Sequence, residues 1–590
     1  MNNALLNLDY AAPFLKGLHF KFNGNYNYYA SRNKSWNVTA PSYGNDSKVA
    51  IPGNPPSLGE TRGEGSEMNL QGFITYNRKF GDHSIDVTGV YEQNKLKSSS
   101  ISAARQRYQI IFDQFLAGPT VDQLASGGEA ESARAGYIGR VNYNFKNRYF
   151  IDFSGRYDAN DFYPPNIRWG FFPSVSASYI ISDEPFMERL KDLGIFNMLK
   201  LRGSIGTVGM TNADFGRFAW IPGYNINANA WVVNGQLVQG TSETGTLPSQ
   251  NYSWYKVNSR DFGIDFSSLN NRLNGSWDYY YMRTIGYTGS DNSKYSTTLG
   301  IGLPPINIET KAYRRAGTDF SLSWNDRLGK DFTYKIGTNF TYFNALWENA
   351  NEDSASLKNP YTRTSGTSGA FYGTGYYNLG FYGSNQDLLN GPRRISSTNT
   401  VGGDLKYEDT NGDGKIDGSD FRRIGSASFP RINFGINLDL GYKGVFFTST
   451  LAGSGKRDRY LGDVIQGSSA QGILVYAFQK DYWTPANTNA LYPRQVSSAG
   501  VNGSNNYVTS DFWLLQSGYV RLKFAQLGYD LKYSLLKQVS TFKHFKVFVS
   551  GTNLWTSAKS MKYFIDPESD TNNYGYPIQR TVSLGLNVGF

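Results

Sequence analysis

Cysteine is absent from the 590 residues, and histidine occurs three times, at His19, His83 and His544. Without cysteine there is no thiolate metal site, no thiol nucleophile and no disulfide framework. The three histidines are far apart, with no HxxxH spacing, and read as rim residues rather than ligands. No apolar run approaches the 18 or so residues that a transmembrane helix needs. No G-x-S-x-G elbow occurs. Acidic pairs such as Asp183/Glu184 read as loop or cap residues, so nothing supports an enzyme. The net charge is +10, yet no block of five like charges exists, and dispersed Lys and Arg argue against nucleic-acid binding. The opening MNNALLNLDYAAPFLKG has no basic n-region, no continuous apolar stretch and no small-residue cleavage site.

What is present is aromatic and glycine-rich: 43 Tyr, 38 Phe, 11 Trp and 64 Gly, at a mean hydropathy of −0.47. The C-terminus is the most telling stretch. Val582, Leu584, Leu586, Val588 and Phe590 alternate with small or polar residues, giving one apolar and one polar strand face. A β-barrel in lipid requires this pattern, apolar outward and polar toward the lumen, with aromatic girdles at both interfaces. The absent signal peptide is then an expectation to be met elsewhere, since such a protein must be exported.

Seventeen segments alternate in this way, at 3–11, 18–30, 67–79, 84–93, 133–146, 148–158, 168–182, 198–210, 254–267, 272–284, 311–324, 329–348, 429–442, 444–454, 518–531, 543–554 and 577–590. Their connections alternate between short (such as 80–83, 147 and 443) and long (31–66, 94–132, 211–253, 285–310, 349–428, 455–517, 555–576). Short periplasmic turns alternating with long extracellular loops are typical of outer-membrane barrels. One connection predicts a short helix, with Ser182 as N-cap and Phe186, Met187, Leu190 and Leu193 at helical spacing. The fold expected is all-β, an antiparallel transmembrane barrel. The odd count makes the first and last strands run the same way, whereas complete single-chain barrels have an even number. The chain is therefore expected to open partway around a larger barrel.

Motifs in a fixed order support a family. Gly136-Tyr137-Ile138-Gly139-Arg140-Val141-Asn142-Tyr143, Arg168-Trp169-Gly170-Phe171-Phe172-Pro173-Ser174-Val175-Ser176-Ala177, and Leu199-Lys200-Leu201-Arg202-Gly203-Ser204-Ile205-Gly206 are followed by Trp483-Thr484-Pro485 and Tyr519-Val520-Arg521-Leu522-Lys523. Val549-Ser550-Gly551-Thr552-Asn553-Leu554 and Arg580-Thr581-Val582-Ser583-Leu584 close the series. Together they resemble the SusC/RagA-type TonB-linked outer-membrane transporters, densely over 133–590 and loosely before. The resemblance implies a 22-stranded barrel of which residues 1–590 supply about 16–18 strands. The signal peptide, carboxypeptidase-like domain, TonB box and plug of that family have no counterpart here. It implies import of glycans, less often peptides, with a SusD-like surface lipoprotein and TonB as partners, in the outer membrane of a Gram-negative cell beside its lipid and lipopolysaccharide. A passive porin or a non-functional truncated barrel is the alternative. The terminal Val582, Leu584, Leu586, Val588 and Phe590 resemble an insertion signal.

One stretch carries metal chemistry. Asp409-Thr410-Asn411-Gly412-Asp413-Gly414-Lys415-Ile416-Asp417-Gly418-Ser419-Asp420 fits the EF-hand template. Asp409, Asn411, Asp413, Asp417 and Asp420 would offer side-chain oxygens to a structural Ca²⁺, and Lys415 its carbonyl. Asp in place of Glu at the twelfth position reaches less far, and Asx-turns without metal are the alternative. Upstream, Phe371, Tyr372, Tyr376, Tyr377, Phe381 and Tyr382 interleave with glycine. They are candidates to stack on a substrate or dock a partner, with loop packing as the equal alternative.

Overall fold

The computed structural model describes all residues except 1, 39–41, 44–49, 52–54, 122, 212–215, 244–245, 291–300, 369–372, 396–398, 462–476, 497–500, 503, 564 and 570–577. Two compact units emerge: 1–177 with 205–257 and 286–308, and 178–204 with 258–285 and 309–590. Long strands occur where alternation predicts them. They are β1 Asn2–Ala11, β2 Leu18–Asn37, β3 Ser57–Phe80, β4 His83–Gln106, β5 Gln123–Phe145, β6 Tyr149–Asn160, β7 Trp169–Ile180, β8 Phe196–Met210 and β9 Tyr255–Ser268. After these come β10 Leu273–Gly289, β11 Ile306–Leu328, β12 Phe332–Asn349, β13 Ile432–Tyr442, β14 Val445–Gly455, β15 Tyr519–Asp530, β16 His544–Ala558 and β17 Thr581–Gly589. No helix among the described residues is long and apolar enough to cross a membrane.

In the first unit β1 to β6 form an antiparallel meander, each strand paired with the next. In the second, β11 to β17 do the same. Residues directly opposite each other share a face, so register turns strand alternation into rows across the sheet. One row of the second unit reads Tyr334, Leu440, Phe447, Leu527, Val549, Leu584, and another Phe332, Tyr442, Val445, Tyr529, Val547, Leu586. The row next to the first, on the opposite face, reads Lys335, Asp439, Thr448, Gln526, Ser550, Ser583. Six strands thus keep one parity along these rows. The apolar rows point outward, with Leu527 57 % and Leu584 80 % exposed. Such a face is stable only against hydrocarbon or a partner.

Tight turns hold the register. Gly81 (φ 58°) closes β3–β4, and Lys443 and Gly444 (φ 46° and 88°) close β13–β14. Lys146 and Asn147 take φ of 55° and 51° between β5 and β6, where Asn144 Oδ1 accepts from Asn147 N at 2.9 Å. Positive φ at such positions matches the twist of antiparallel hairpins.

Two expectations need correction. The connections placed at 31–66 and 94–132 are largely strand: β2 runs to Asn37, β3 starts at Ser57, β4 runs to Gln106 and β5 starts at Gln123. Apolar alternation stops at these positions, while the backbone ladder continues with charged pairs such as Arg32–Glu60 (2.8 Å) and Lys97–Glu131 (2.5 Å). The helix expected after Ser182 is mostly 3₁₀: turns at Ile181–Asp183 and Pro185–Met187 precede α1, Glu188–Asp192. Ser182 is buried and does not cap. Pro185, which lacks an N–H, starts its turn after Glu184 instead.

Candidate functional site

The polar face of the first unit is built from planar hydrogen-bonding side chains. One row reads Asn7, Asn23, Gln71, Glu92, Gly136, Asp158, and the next Asn25, Asn69, Asn94, Arg134, Asn160. Asn94 Nδ2 donates to Glu67 at 3.0 Å, and Arg156 bridges Glu92 at 2.6 Å and Asp158 at 3.0 Å. Gly136 allows this bridge, because a Cβ there would lie 2.3 Å from the Asp158 carboxylate. Side-chain amides carry donor and acceptor together. Such a wall can therefore exchange hydrogen bonds with any hydroxyl-rich or amide-rich solute.

The second unit carries charged clusters of its own. Arg202 of β8 pairs with Asp278 of β10 and with Asp265 of β9 at 3.1 Å, and Asp261 lies 3.6 Å away. A bulge at Lys523 then re-aims β15, since Thr450 pairs with Phe524 but Leu451 with Leu522. The extra residue reverses the alternation beyond it, so Arg521 falls on the same face as Phe524 and Gln526. Arg521 and Lys523 both pair with Glu568, and Arg521 also reaches Asp566 at 2.5 Å. Burial pushes the Glu568 carboxyl up, but bonds from Lys523 and Tyr519 win and hold it below its usual range. The 566–568 segment is thereby strapped to the sheet.

Above β12 and β13 the long connections fold on themselves. Gly373–Gly375 pairs with Arg422–Ile424, Asn378–Phe381 with Leu405–Tyr407, and Asp458–Tyr460 with Leu514–Gln516. Their node is Asp404, fully buried. It accepts from Asn502 (3.0 Å), Asn506 (2.9 Å), Arg494 Nη2 (3.1 Å) and the Val401 N–H (2.9 Å). Sequence reasoning missed Asp404, Arg494, Asn502 and Asn506, as well as Arg202 and Arg521 as polar-face anchors. Parity could have exposed Arg202, whereas the bulge at Lys523 puts Arg521 out of step with its strand. The Asp404 node spans a hundred residues and left no local signal.

Among the aromatic candidates, Phe371 and Tyr372 lie outside the described residues. Tyr376 is buried with Leu405, Tyr407 and Ile416, its ring 4.7 Å edge-on from Phe421. Tyr382 is buried too, donating to the Pro392 carbonyl at 3.0 Å, and burial pushes its phenol up to about 12. Both occupy the loop core, so their ring faces are not offered to a ligand. Phe381 is half-buried against Phe512, at 6.0 Å. Tyr377 is 41 % exposed, with Arg422 stacked 3.7 Å over its ring. Tyr377 alone of the four presents an open aromatic surface.

The 409–420 loop has the expected turn, with Gly412 and Gly414 at φ 75° and 80°. Its carboxylates face backbone N–H groups. Asp409 accepts from Gly412 (2.7 Å) and Gly414 (2.8 Å), Asp413 from Lys415 (2.9 Å) and Asp417 from Ser419 (2.8 Å). Asn411 Oδ1 accepts from Asp413 N at 3.0 Å. Asp420, fully buried, accepts from Thr410 (2.9 Å) with one oxygen and Asp417 (2.8 Å) with the other. Among the described residues no three acidic or imidazole groups converge as a metal-binding set. This geometry is the Asx-turn arrangement. The histidines sit at edges: His83 contacts Tyr143 Oη at 2.6 Å between the rings of Phe80 and Phe145, and His544 contacts Asn587 at 2.8 Å. In β17, Val582, Leu584, Leu586 and Val588 pair with β16, and Phe590 packs 5.5 Å from Phe542.

Comparison with known proteins agrees with the motif order. TonB-dependent receptor P3 of Formosa agariphila is 27 % identical over 566 residues, covering 88 % of this chain and 52 % of that protein. TonB-dependent receptor SusC of Bacteroides thetaiotaomicron is 26 % identical over 464 residues, covering 77 % of this chain and 43 % of that protein. The chain is similar in sequence to SusC-type TonB-dependent receptors. It spans about half the length of these curated relatives. No family model matches. Among solved structures, the RagAB peptide transporter superposes with a TM-score of 0.73 at 19 % identity, covering 100 % of this chain and 62 % of that one. The RagAB peptide importer in the open-open state gives 0.75 at the same identity, covering 61 % of that chain. This likeness establishes the fold class that the alternation predicts, an antiparallel all-β fold of the TonB-dependent transporter type. The relatives are receptors and transporters, not enzymes.

Proposed function

We propose that this chain forms the barrel part of an outer-membrane importer for oligosaccharides, working with a SusD-like surface lipoprotein and drawing energy through TonB. The observation that carries the proposal is the register. Polar rows alternate with apolar rows across both units, so one face suits a hydrated solute while the other suits hydrocarbon. The amide and carboxylate ladders of β1 to β6 favour a hydroxyl-rich solute. The plug and TonB box are proposed to come from sequence corresponding to the other half of the longer relatives.

Deleting the gene should abolish growth on one oligosaccharide class while leaving monosaccharide growth intact. A protonophore that collapses the proton gradient should stop uptake of labelled oligosaccharide by wild-type cells. Uptake that continues unchanged with the gradient collapsed would favour a passive porin. Loss of growth on peptides alone would move the substrate class to peptides.

A further inference from the structure

The apolar face of the first unit is not filled evenly. Two rows of the second unit, those of Phe332 and Tyr334, carry large side chains throughout, whereas one row here reads Tyr10, Phe20, Ile74, Gly89, Gly139, Gly155. Gly72 interrupts the adjacent row between Phe22 and Tyr91. A Cβ added at Gly72, Gly89 or Gly139 would meet nothing within 4 Å, while Gly155 is covered by the Phe171 ring. The missing side chains leave a trough of about 850 Å³ lined by Leu8, Tyr10, Phe20, Phe22, Ile74 and Tyr91. Same-face rows lie only about 7 Å apart. A slot one row wide admits a single polymethylene chain but not a helix, which is about 10 Å across.

An aromatic ridge bounds the trough on one side. Tyr91 and Tyr137 rings lie 5.1 Å apart, Tyr137 and Trp169 5.9 Å, and Trp169 and Tyr157 4.7 Å. Gly89 stands midway along β4 between His83, in the ring cluster at the Gly81 turn, and Lys95. Six residues either way correspond to roughly 20 Å of strand, or about half a hydrocarbon core once the strand tilts. Lys95 (3.6 Å) and Lys97 (2.5 Å) share the Glu131 carboxylate. Two ammonium groups thus stand at the strand end away from the Gly81 turn, with Glu131 between them and Glu129 acting on Lys97 as well. An anionic headgroup at that level and an acyl chain running down past the ridge into the trough match this placement.

We propose that the trough holds one acyl chain of an outer-leaflet lipid A molecule, its phosphate held near Lys95 and Lys97. The proposal rests on the outer-membrane reading above and goes beyond it by naming a lipid partner and its seat. The test uses protein extracted in mild detergent from outer membranes of cells that make it. Native mass spectrometry then counts bound lipid. About one lipid A per protein is expected for the wild type, falling at least five-fold in Gly89→Phe and in Gly139→Phe. Lys95→Gln with Lys97→Gln should also lower it, while Val549→Phe, on the apolar face of the other unit, should retain it. Gly72→Leu serves as a milder filling variant should the larger ones fail to reach the membrane. Equal lipid A across all variants, or phospholipid in its place, would overturn the assignment. Absence of the protein from the outer-membrane fraction would instead overturn the membrane reading itself.

Discussion

Asp404 shows how much one residue can hold. Its carboxylate is fully buried and satisfied by two asparagine amides, one guanidinium and one backbone N–H, so the connections around 401–407 and 502–506 depend on a single anion. Removing one partner of a buried, hydrogen-bonded pair leaves the other charge uncompensated. Asp404→Leu should therefore lower the local stability of these connections by about 3–5 kcal/mol. Hydrogen exchange should show protection lost there and kept in β13 to β15. Glu568 gives a pH effect whose sign is set. Its folded-state pKa lies below the ordinary glutamate value of 4.5, so its contribution is complete above that value and lost as pH falls through the folded pKa. Protease nicking near 559–569 should rise on acidification below about pH 4.5, and Glu568→Gln should be nicked already at neutral pH.

At the scale of elements, the strands were legible and their lengths were not. Period-two alternation marks where one face meets hydrocarbon, and Val141-Asn142-Tyr143-Asn144-Phe145 could be read directly from the sequence. Beyond the band, residues such as Glu60, Arg62 and Glu64 remain in the ladder of β3 while both faces are polar, so the hydropathy signal vanishes although the strand persists. The 182–193 segment failed for a different reason, because helical spacing over so few residues cannot separate an α-turn from successive 3₁₀ turns. The parity rule itself can be tested in β17. Leu584→Lys puts a charge in an apolar row and should cost about 2–4 kcal/mol near the bilayer middle, seen as loss from the outer-membrane fraction. Ser583→Lys, one residue away on the polar row, should insert normally. The 409–420 loop matches its template in sequence, and Asp420 accepts from N–H groups on both oxygens. Asp420→Ala should open the loop to proteolysis while EGTA leaves the wild type unchanged. Ca²⁺-dependent protection abolished by Asp413→Ala would instead assign the cation to the loop.

For the whole molecule, the resemblance to SusC-type receptors was legible because several short motifs recur in order, while the Arg521–Asp566 pair and the amides around Asp404 were not, since they join residues 45 to 102 positions apart. Strand number adds a constraint. Seventeen long strands are described, whereas single-chain outer-membrane barrels of bacteria have even numbers, and the chain matches about half the length of its curated relatives. Every backbone group in hydrocarbon must be paired, at several kcal/mol for each one left open. We therefore expect the remaining strands to come from sequence corresponding to the relatives' other half. Residues 1–590 produced alone, with an export signal added, should be degraded or recovered as aggregate, with no heat-modifiable band on electrophoresis. Joined to the N-terminal half of a SusC-type relative, they should give a heat-modifiable species in the outer membrane. A heat-stable barrel from residues 1–590 alone would show instead that the described strands close among themselves, and the expectation drawn from strand parity would fail.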